Sequence, residues 1–119
     1  NNEAKTSGSR MVLRFDVDST GNISDSFSDV KKQLKEIAIQ MNNNADRVVI
    51  YSYTEKMDSE EESMAIAKRQ ADAAKQVMMQ FGERVYYNAG IELKGFAEPI
   101  DAANPSTASN RRIEIETVQ

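Results

Sequence analysis

The sequence predicts an α+β domain of two layers, in which a mixed sheet of about four strands is covered on one face by two main helices. Two long segments repeat their apolar residues every three or four positions, which is typical of a buried helical face. Four shorter segments are rich in β-branched and aromatic residues or alternate apolar with charged ones, which is typical of strands. With 119 residues and 39% hydrophobic content, the chain can form one core and hardly two.

The chain opens with a polar segment and a short strand. Residues 1–10 lack periodicity and predict a flexible arm ahead of a domain that spans residues 11–119. An apolar alternation over residues 11–17 predicts the first strand. Residues 16–23 (DVDSTGNI) mimic the start of an EF-hand calcium loop, but Phe27 stands at the twelfth position, where a bidentate Glu is required. We therefore interpret them as a strand end followed by a turn.

A helix and a second strand follow. The helix is predicted to begin after Ser26, a plausible N-cap, and to stop at the Asn run of residues 42–44. Its apolar positions are Phe27, Val30, Leu34, Ile37 and Met41. Residues 47–53 (RVVIYSY) predict a buried strand by content. The order strand, helix, strand favours a right-handed βαβ unit with parallel strands.

The second half predicts a longer helix and two more strands. The helix should begin near Ser59 and run to Phe81, with Gly82 as its cap. Its apolar stripe is Met64, Ala67, Ala71, Ala74, Met78 and Phe81. Its first turn contains three glutamates. We interpret them as negative charges that the positive end of the helix dipole stabilises, and not as a binding site. Residues 85–93 and 112–118 predict the last two strands, separated by a long loop.

Composition excludes several classes of function. The chain has no Cys and no His, so thiol catalysis, catalytic triads and most zinc sites are excluded, and no metal or cofactor is expected. A net charge of −4 makes nucleic acid an improbable partner, because phosphate binding needs clustered Lys and Arg. The sequence shows no membrane span and no signal peptide, so an exported protein would have lost its signal or carry it elsewhere.

Residues 95–117 (GFAEPIDAANPSTASNRRIEIET) carry the most specific motif. A Gly-aromatic-Ala-Glu-Pro stretch, an Asn and a closing Asn-Arg-Arg-Ile-Glu-Ile occur in this order. The segment resembles the C-terminal signature of OmpA-like domains, the periplasmic peptidoglycan-binding modules of OmpA, Pal and MotB. The resemblance spans residues 12–118 in consistent order, and residues 15–19 (FDVDS) look like the family's first strand end.

A second motif of the family lies in the middle of the chain. OmpA-like domains carry Gly-His-Thr-Asp at the end of the second strand and an Arg about fifteen positions later in a helix, and these Asp and Arg residues bind the ammonium and carboxylate of diaminopimelate. Thr54 and Arg69 match that pattern, and Glu55 replaces the Asp one residue closer to the Arg. Ser52 and Tyr53 stand in place of the Gly and His.

The resemblance implies noncovalent attachment to peptidoglycan. Glu55 would receive the ammonium of a stem-peptide diamino acid and Arg69 its carboxylate. The residues expected to line the groove are Thr54, Asn110 and either Arg111 or Arg112. Neighbouring side chains of a strand point to opposite faces, so the two adjacent arginines cannot both face one ligand once the strand has begun. An equally open interpretation is that they neutralise nearby carboxylates.

The resemblance also implies a cell-envelope protein in the periplasm, associated with the outer membrane and tethered to a membrane-anchored remainder, with no direct membrane insertion of this domain. The stem peptide would be the partner, a homodimer remains one option, and no enzymatic activity is expected. Two alternatives stay open. One is an OmpA-like protein-interaction or scaffold domain that has lost wall binding. The weaker one is a wall hydrolase that uses Glu55 and Asp58 as paired carboxylates.

Overall fold

The computed structural model describes residues 10–13, 28–44 and 46–118. Within these residues the chain forms four strands in one mixed sheet, three α-helices and one 3-10 turn. The strands are β1 (Arg10–Leu13), β2 (Arg47–Tyr53), β3 (Ala89–Gly95) and β4 (Arg112–Val118). The helices are α1 (Ser28–Asn44), α2 (Glu60–Met79) and α3 (Val85–Asn88), and the 3-10 turn is Ala108–Asn110. The predicted α+β class is confirmed.

The sheet has the order β1-β4-β2-β3. The last strand, β4, pairs antiparallel with both β1 and β2, while β2 and β3 pair in parallel. Because β1 and β2 are each antiparallel to β4, they run in the same direction, as the βαβ interpretation predicted. They are not neighbours, however, because the C-terminal strand lies between them. The adjacent parallel pair is β2 and β3, whose connection contains α2.

One core lies between the sheet and the two long helices. Ile113 and Ile115 of β4 alternate toward it, so their neighbours in β4 face the other side of the sheet. The core residues are Leu13, Val30, Leu34, Ala38, Met41, Val48, Ile50, Ala71, Ala74, Met78, Val85, Ala89, Ile113 and Ile115. Most predicted helix positions are among them, and Ile37 packs partly against the cluster. Phe81, predicted as core, is 38% exposed because α2 has already ended.

Two predicted segments differ from the observed ones at the start of the chain. The first strand begins at Arg10, opposite Glu116, one residue inside the predicted arm. Only part of the predicted strand, up to Leu13, is described. The calcium-like segment, Ser26 and Phe27 lie outside the described residues, so the prediction that this segment does not bind calcium stays a prediction.

The ends of α2 show one correct and one incorrect prediction. Ser59 is the N-cap, since its Oγ accepts a hydrogen bond of 3.1 Å from the Glu62 backbone N–H. Gly82 is not the C-cap: the helix ends at Met79, and Gln80 caps it with ordinary helical backbone angles. Gly82 is instead the place where the chain passes α1, because a Cβ there would lie 2.9 Å from the Ala38 carbonyl oxygen.

Gly82→Ala is therefore expected to lower the free energy of unfolding by about 1–3 kcal/mol, the scale of overpacking against atoms that cannot move freely. The clash is with backbone and not with a flexible side chain. Chemical denaturation checks this, with Gly90→Ala as the matched control, since a Cβ at Gly90 would have no neighbour within 4 Å. Equal stabilities for the two variants would show that α1 shifts at no cost.

The strand predicted over residues 85–93 begins only at Ala89, because residues 85–88 form the helical turn α3. Val85 is buried and fixes the turn in the core, whereas Tyr86 and Tyr87 are 60% and 84% exposed. Their aromatic content favours a strand in isolation, but the hydrogen bond from Val85 N–H to the Gly82 carbonyl starts a turn instead. The packing of Val85 in the core thus overrides the preference of this segment for a strand.

Candidate functional site

Except for Arg69, the predicted site residues lie where three segments meet at the carboxyl end of β2. The segment after β2 is joined to the end of β3 by a 2.7 Å hydrogen bond from Thr54 N–H to the Gly95 carbonyl. It is joined to the long loop before β4 by a 2.8 Å bond from Lys56 N–H to the Pro105 carbonyl. Thr54 itself is buried, and its hydroxyl donates to the Glu55 carbonyl at 2.8 Å. The backbone on both sides of Glu55 is therefore fixed.

Glu55 forms a two-point ion pair with Arg111. Arg111 Nε donates to Oε1 at 2.9 Å, and Arg111 Nη2 donates to Oε2 at 2.8 Å. The side chains are only 23% exposed for Arg111 and 15% for Glu55. Parallel hydrogen bonds of this kind are among the strongest that a carboxylate forms. The structure thus joins two of the predicted site residues that stand 56 positions apart.

Arg112 bonds different partners from those of Arg111, on the sheet face opposite the helices. Its side chain donates to the Asn110 carbonyl at 3.0 Å, to the Glu98 carbonyl at 2.9 Å and to Glu114 Oε2 at 3.0 Å. Its guanidinium carbon lies 3.7 Å from the centre of the Tyr53 ring. Since Arg112 is only 4% exposed, it supports the loop and covers the sheet, and it does not line an open groove.

Asn110 is fully buried and organises the long loop. Its Oδ1 accepts from Asp101 N–H at 2.8 Å. Its Nδ2 approaches three backbone carbonyls, at 3.3 Å for Asp101 and at 3.2 Å for both Asn104 and Pro105. The side-chain amide is thus occupied by the loop itself. The groove-lining role predicted for Asn110 is replaced by a structural one, while the exposed Asn104 side chain contacts Asp101.

Arg69 lies on α2 at the level of the carboxyl end of β2. The adjacent Gln70 is buried, and its Nε2 donates to Ser52 Oγ and to the Tyr53 carbonyl at 3.0 Å each. Arg69 itself is exposed, and within residues 10–13, 28–44 and 46–118 it makes no hydrogen bond or ion pair. The structure therefore pairs Glu55 with Arg111 and leaves the Arg69 guanidinium open to solvent.

Gln70 and Tyr53 also contribute to this region, and their residue types alone indicate the contacts that they make. Gln70 is a polar residue inside the alanine-rich stripe of α2, and a buried amide at such a position needs a partner. Tyr53 stands where the family has His, and an aromatic ring can stack on a guanidinium such as that of Arg112. Both side chains hold the end of β2.

Among the described residues, no group of three or more His, Cys, Asp or Glu side chains could hold a metal ion. Both oxygens of Glu55 accept hydrogen bonds from Arg111. Across the described part of the chain, no helix is both long and apolar enough to span a membrane.

Comparisons with known proteins agree on the fold. A family model described as the OmpA family matches residues 15–114. Similar solved structures include the OmpA-like domain of FopA1 from Francisella tularensis, with 16% identity, a TM-score of 0.72 and coverage of 92% of this chain and 70% of that one. The peptidoglycan-associated lipoprotein of Burkholderia pseudomallei has 18% identity, a TM-score of 0.69 and coverage of 90% and 89%.

The C-terminal domain of Helicobacter pylori MotB has 18% identity, a TM-score of 0.67 and coverage of 92% of this chain and 84% of that one. At these identities the similarity establishes the fold alone. No curated protein sequence matches the chain significantly.

Proposed function

The chain belongs to the OmpA family, and from that premise we propose that it attaches noncovalently to peptidoglycan through the diamino acid of the stem peptide. Members of this family bind peptidoglycan, and one structure of the same fold is named a peptidoglycan-associated lipoprotein. The observation that supports the proposal is the Glu55–Arg111 pair just after β2, with Arg69 exposed on the helix whose next residue, Gln70, bonds the end of the same strand.

The chemistry of the ligand matches these charges. The free end of a diaminopimelate residue carries an ammonium and a carboxylate on one carbon atom, so its receptor needs an anion and a cation a few ångströms apart. Glu55 supplies the anion, and Arg69 is an exposed cation that makes no polar contact within the described residues. Arg binds carboxylates through two parallel hydrogen bonds, which fixes orientation as well as charge.

The six predicted site residues divide into two groups. Glu55, Arg69 and Arg111 have exposed atoms and would touch the ligand. Thr54, Asn110 and Arg112 are buried and would hold the segments that carry the first group. Because the domain binds and does not break a bond in this proposal, it acts as a cell-wall anchor. A periplasmic position, tethered to a membrane-anchored remainder, is part of the same proposal and follows the family's envelope-associated members.

Arg69→Ala is expected to weaken retention on insoluble peptidoglycan about tenfold or more, the scale of one charge-assisted hydrogen-bonded contact. The fold should persist, because Arg69 is exposed and makes no polar contact in the described part of the chain. Co-sedimentation with purified sacculi at low salt measures the change. Lys68→Ala is the matched control, since Lys68 is the adjacent cation on α2, pairs with Asp72 and is 67% exposed.

Equal loss in the Arg69 and Lys68 variants would indicate a general charge effect and contradict a defined carboxylate site. Soluble stem peptides containing diaminopimelate should compete with the sacculi for the unmodified domain. Absence of retention under all these conditions would contradict wall binding itself.

The second candidate function is a protein-interaction or scaffold domain on the same fold. The observation that favours it is the ion pair with Arg111, which already satisfies both oxygens of Glu55. A domain that had lost its wall ligand would keep such an internal pair for structural reasons. This candidate takes precedence if the unmodified domain is not retained by sacculi at low salt.

A further inference from the structure

In the Glu55–Arg111 pair, the arginine has N–H donors that do not bond to Glu55. A guanidinium has five N–H donors, of which two point to Glu55 and three remain. Within the described residues these remaining donors have no partner. Arg111 is therefore a cation, 23% exposed, with N–H donors left for a ligand, beside a carboxylate that is 15% exposed.

The backbone around the pair is held on both sides, so only the side chains can rearrange. Arg111 lies between the buried Asn110 and the buried Arg112, which donates back to the Asn110 carbonyl. Glu55 lies between Thr54 and Lys56, whose N–H groups bond Gly95 and Pro105. An exchange of partners at this pair would consequently proceed by side-chain rotation and would not need the loops to open.

The pair changes which ligands can bind. A ligand with an ammonium alone meets a carboxylate that is already neutralised, and displacing Arg111 would leave a half-buried guanidinium without a counter-ion. Leaving such a charge uncompensated is strongly unfavourable. A ligand that brings an ammonium and a carboxylate together removes this cost, because each member of the pair exchanges one opposite charge for another.

We propose that Arg111 is a specificity-determining residue, which keeps Glu55 paired until a zwitterionic ligand supplies an ammonium to Glu55 and a carboxylate to Arg111. The inference rests on the proposed wall binding and adds the rule of selection. It distinguishes diaminopimelate, whose end is a zwitterion, from lysine, whose end is an ammonium alone. Arg69 would bind the same carboxylate from the α2 side.

The test compares two synthetic stem tripeptides that differ only in the third residue, which is meso-diaminopimelate in one and L-lysine in the other. Their dissociation constants are measured by calorimetry for the unmodified domain and for Arg111→Met, which keeps the chain length and removes the charge. The unmodified domain should prefer the diaminopimelate peptide roughly tenfold or more. In Arg111→Met the lysine peptide should bind several-fold more tightly than before and the preference should largely disappear.

Several outcomes separate the two proposals. If the unmodified domain binds neither peptide and no sacculi, the proposed function fails and the selection rule fails with it. If it binds the diaminopimelate peptide and Arg111→Met keeps the same preference, wall binding stands and the role of Arg111 is refuted. Thermal unfolding checks that the variant is folded. Should it not fold, Arg111→Gln removes the charge but keeps a polar side chain, and an unchanged preference there likewise refutes the role.

Discussion

Arg112→Ala is expected to lower the free energy of unfolding by about 3–5 kcal/mol, the scale found when one member of a buried ion pair is removed. Arg112 is 4% exposed and bonds Glu114, whose side chain is 12% exposed, together with two backbone carbonyls. Its guanidinium also covers the ring of Tyr53. Removal takes one hydrogen bond from the Glu114 carboxylate, removes the donors to the two carbonyls and deletes the cation that stacks on the ring.

Chemical denaturation followed by circular dichroism measures this loss of stability. Two other variants serve as comparisons. Arg69→Ala removes an exposed arginine with no polar contact in the described part of the chain and should leave stability nearly unchanged. Arg112→Lys keeps the charge but not the planar, multi-donor head, so its stability should lie between those of the alanine variant and the unmodified domain. Similar stability in all three variants would show that the contacts of Arg112 contribute little.

The second large effect is expected at Asn110, where replacement by Ala should cost about 2–4 kcal/mol. The buried amide accepts one backbone hydrogen bond and donates toward three carbonyls within the loop of residues 96–109. Buried polar groups that lose their partners cost about 1–3 kcal/mol each. The expected cost is smaller than the sum over the four contacts, because three of them share one NH₂ group and because the loop lies near the surface.

Asn104→Ala is the matched control for Asn110. Its amide makes only exposed contacts with Asp101, at 3.3 and 3.5 Å, so its loss should change stability by less than about 1 kcal/mol. Hydrogen exchange adds a local readout, since the Asp101 N–H, which donates to Asn110, should exchange faster in Asn110→Ala. Unchanged protection at Asp101 would contradict the role assigned to the buried amide.

The stability effects at Asn110 and Arg112 also affect the proposed binding, because these buried residues fix the backbone on both sides of Arg111. Arg111 stands between Asn110 and Arg112, and its side chain reaches Glu55 only while the backbone at both neighbours is fixed. If the proposed wall binding holds, a mildly destabilised variant that remains folded should also bind sacculi less well. Variants of Arg69 or Arg111 should instead affect binding more than stability.

Much of the secondary structure was determined by the sequence itself. The apolar period of α1, the Ser59 cap of α2, the content of β2 and the alternation in β4 depend on residues close to one another in the chain. Backbone sterics, capping and amphipathic spacing act over the same short distances, so these elements were predictable. The motif around Asn110 is equally local, and it indicates the family from the sequence alone.

Only the tertiary structure decided how distant segments combine. The insertion of β4 between β1 and β2, the helical turn at Val85 and the close approach at Gly82 depend on packing against elements remote in sequence. The partner of Glu55 is the clearest case. A motif with Arg69 fourteen positions later pointed to a binding pair, whereas the folded chain brings Arg111 to Glu55 from 56 positions away. A side chain's partner is set by which groups the closed loops place within hydrogen-bonding distance, and neighbouring residues do not encode that distance.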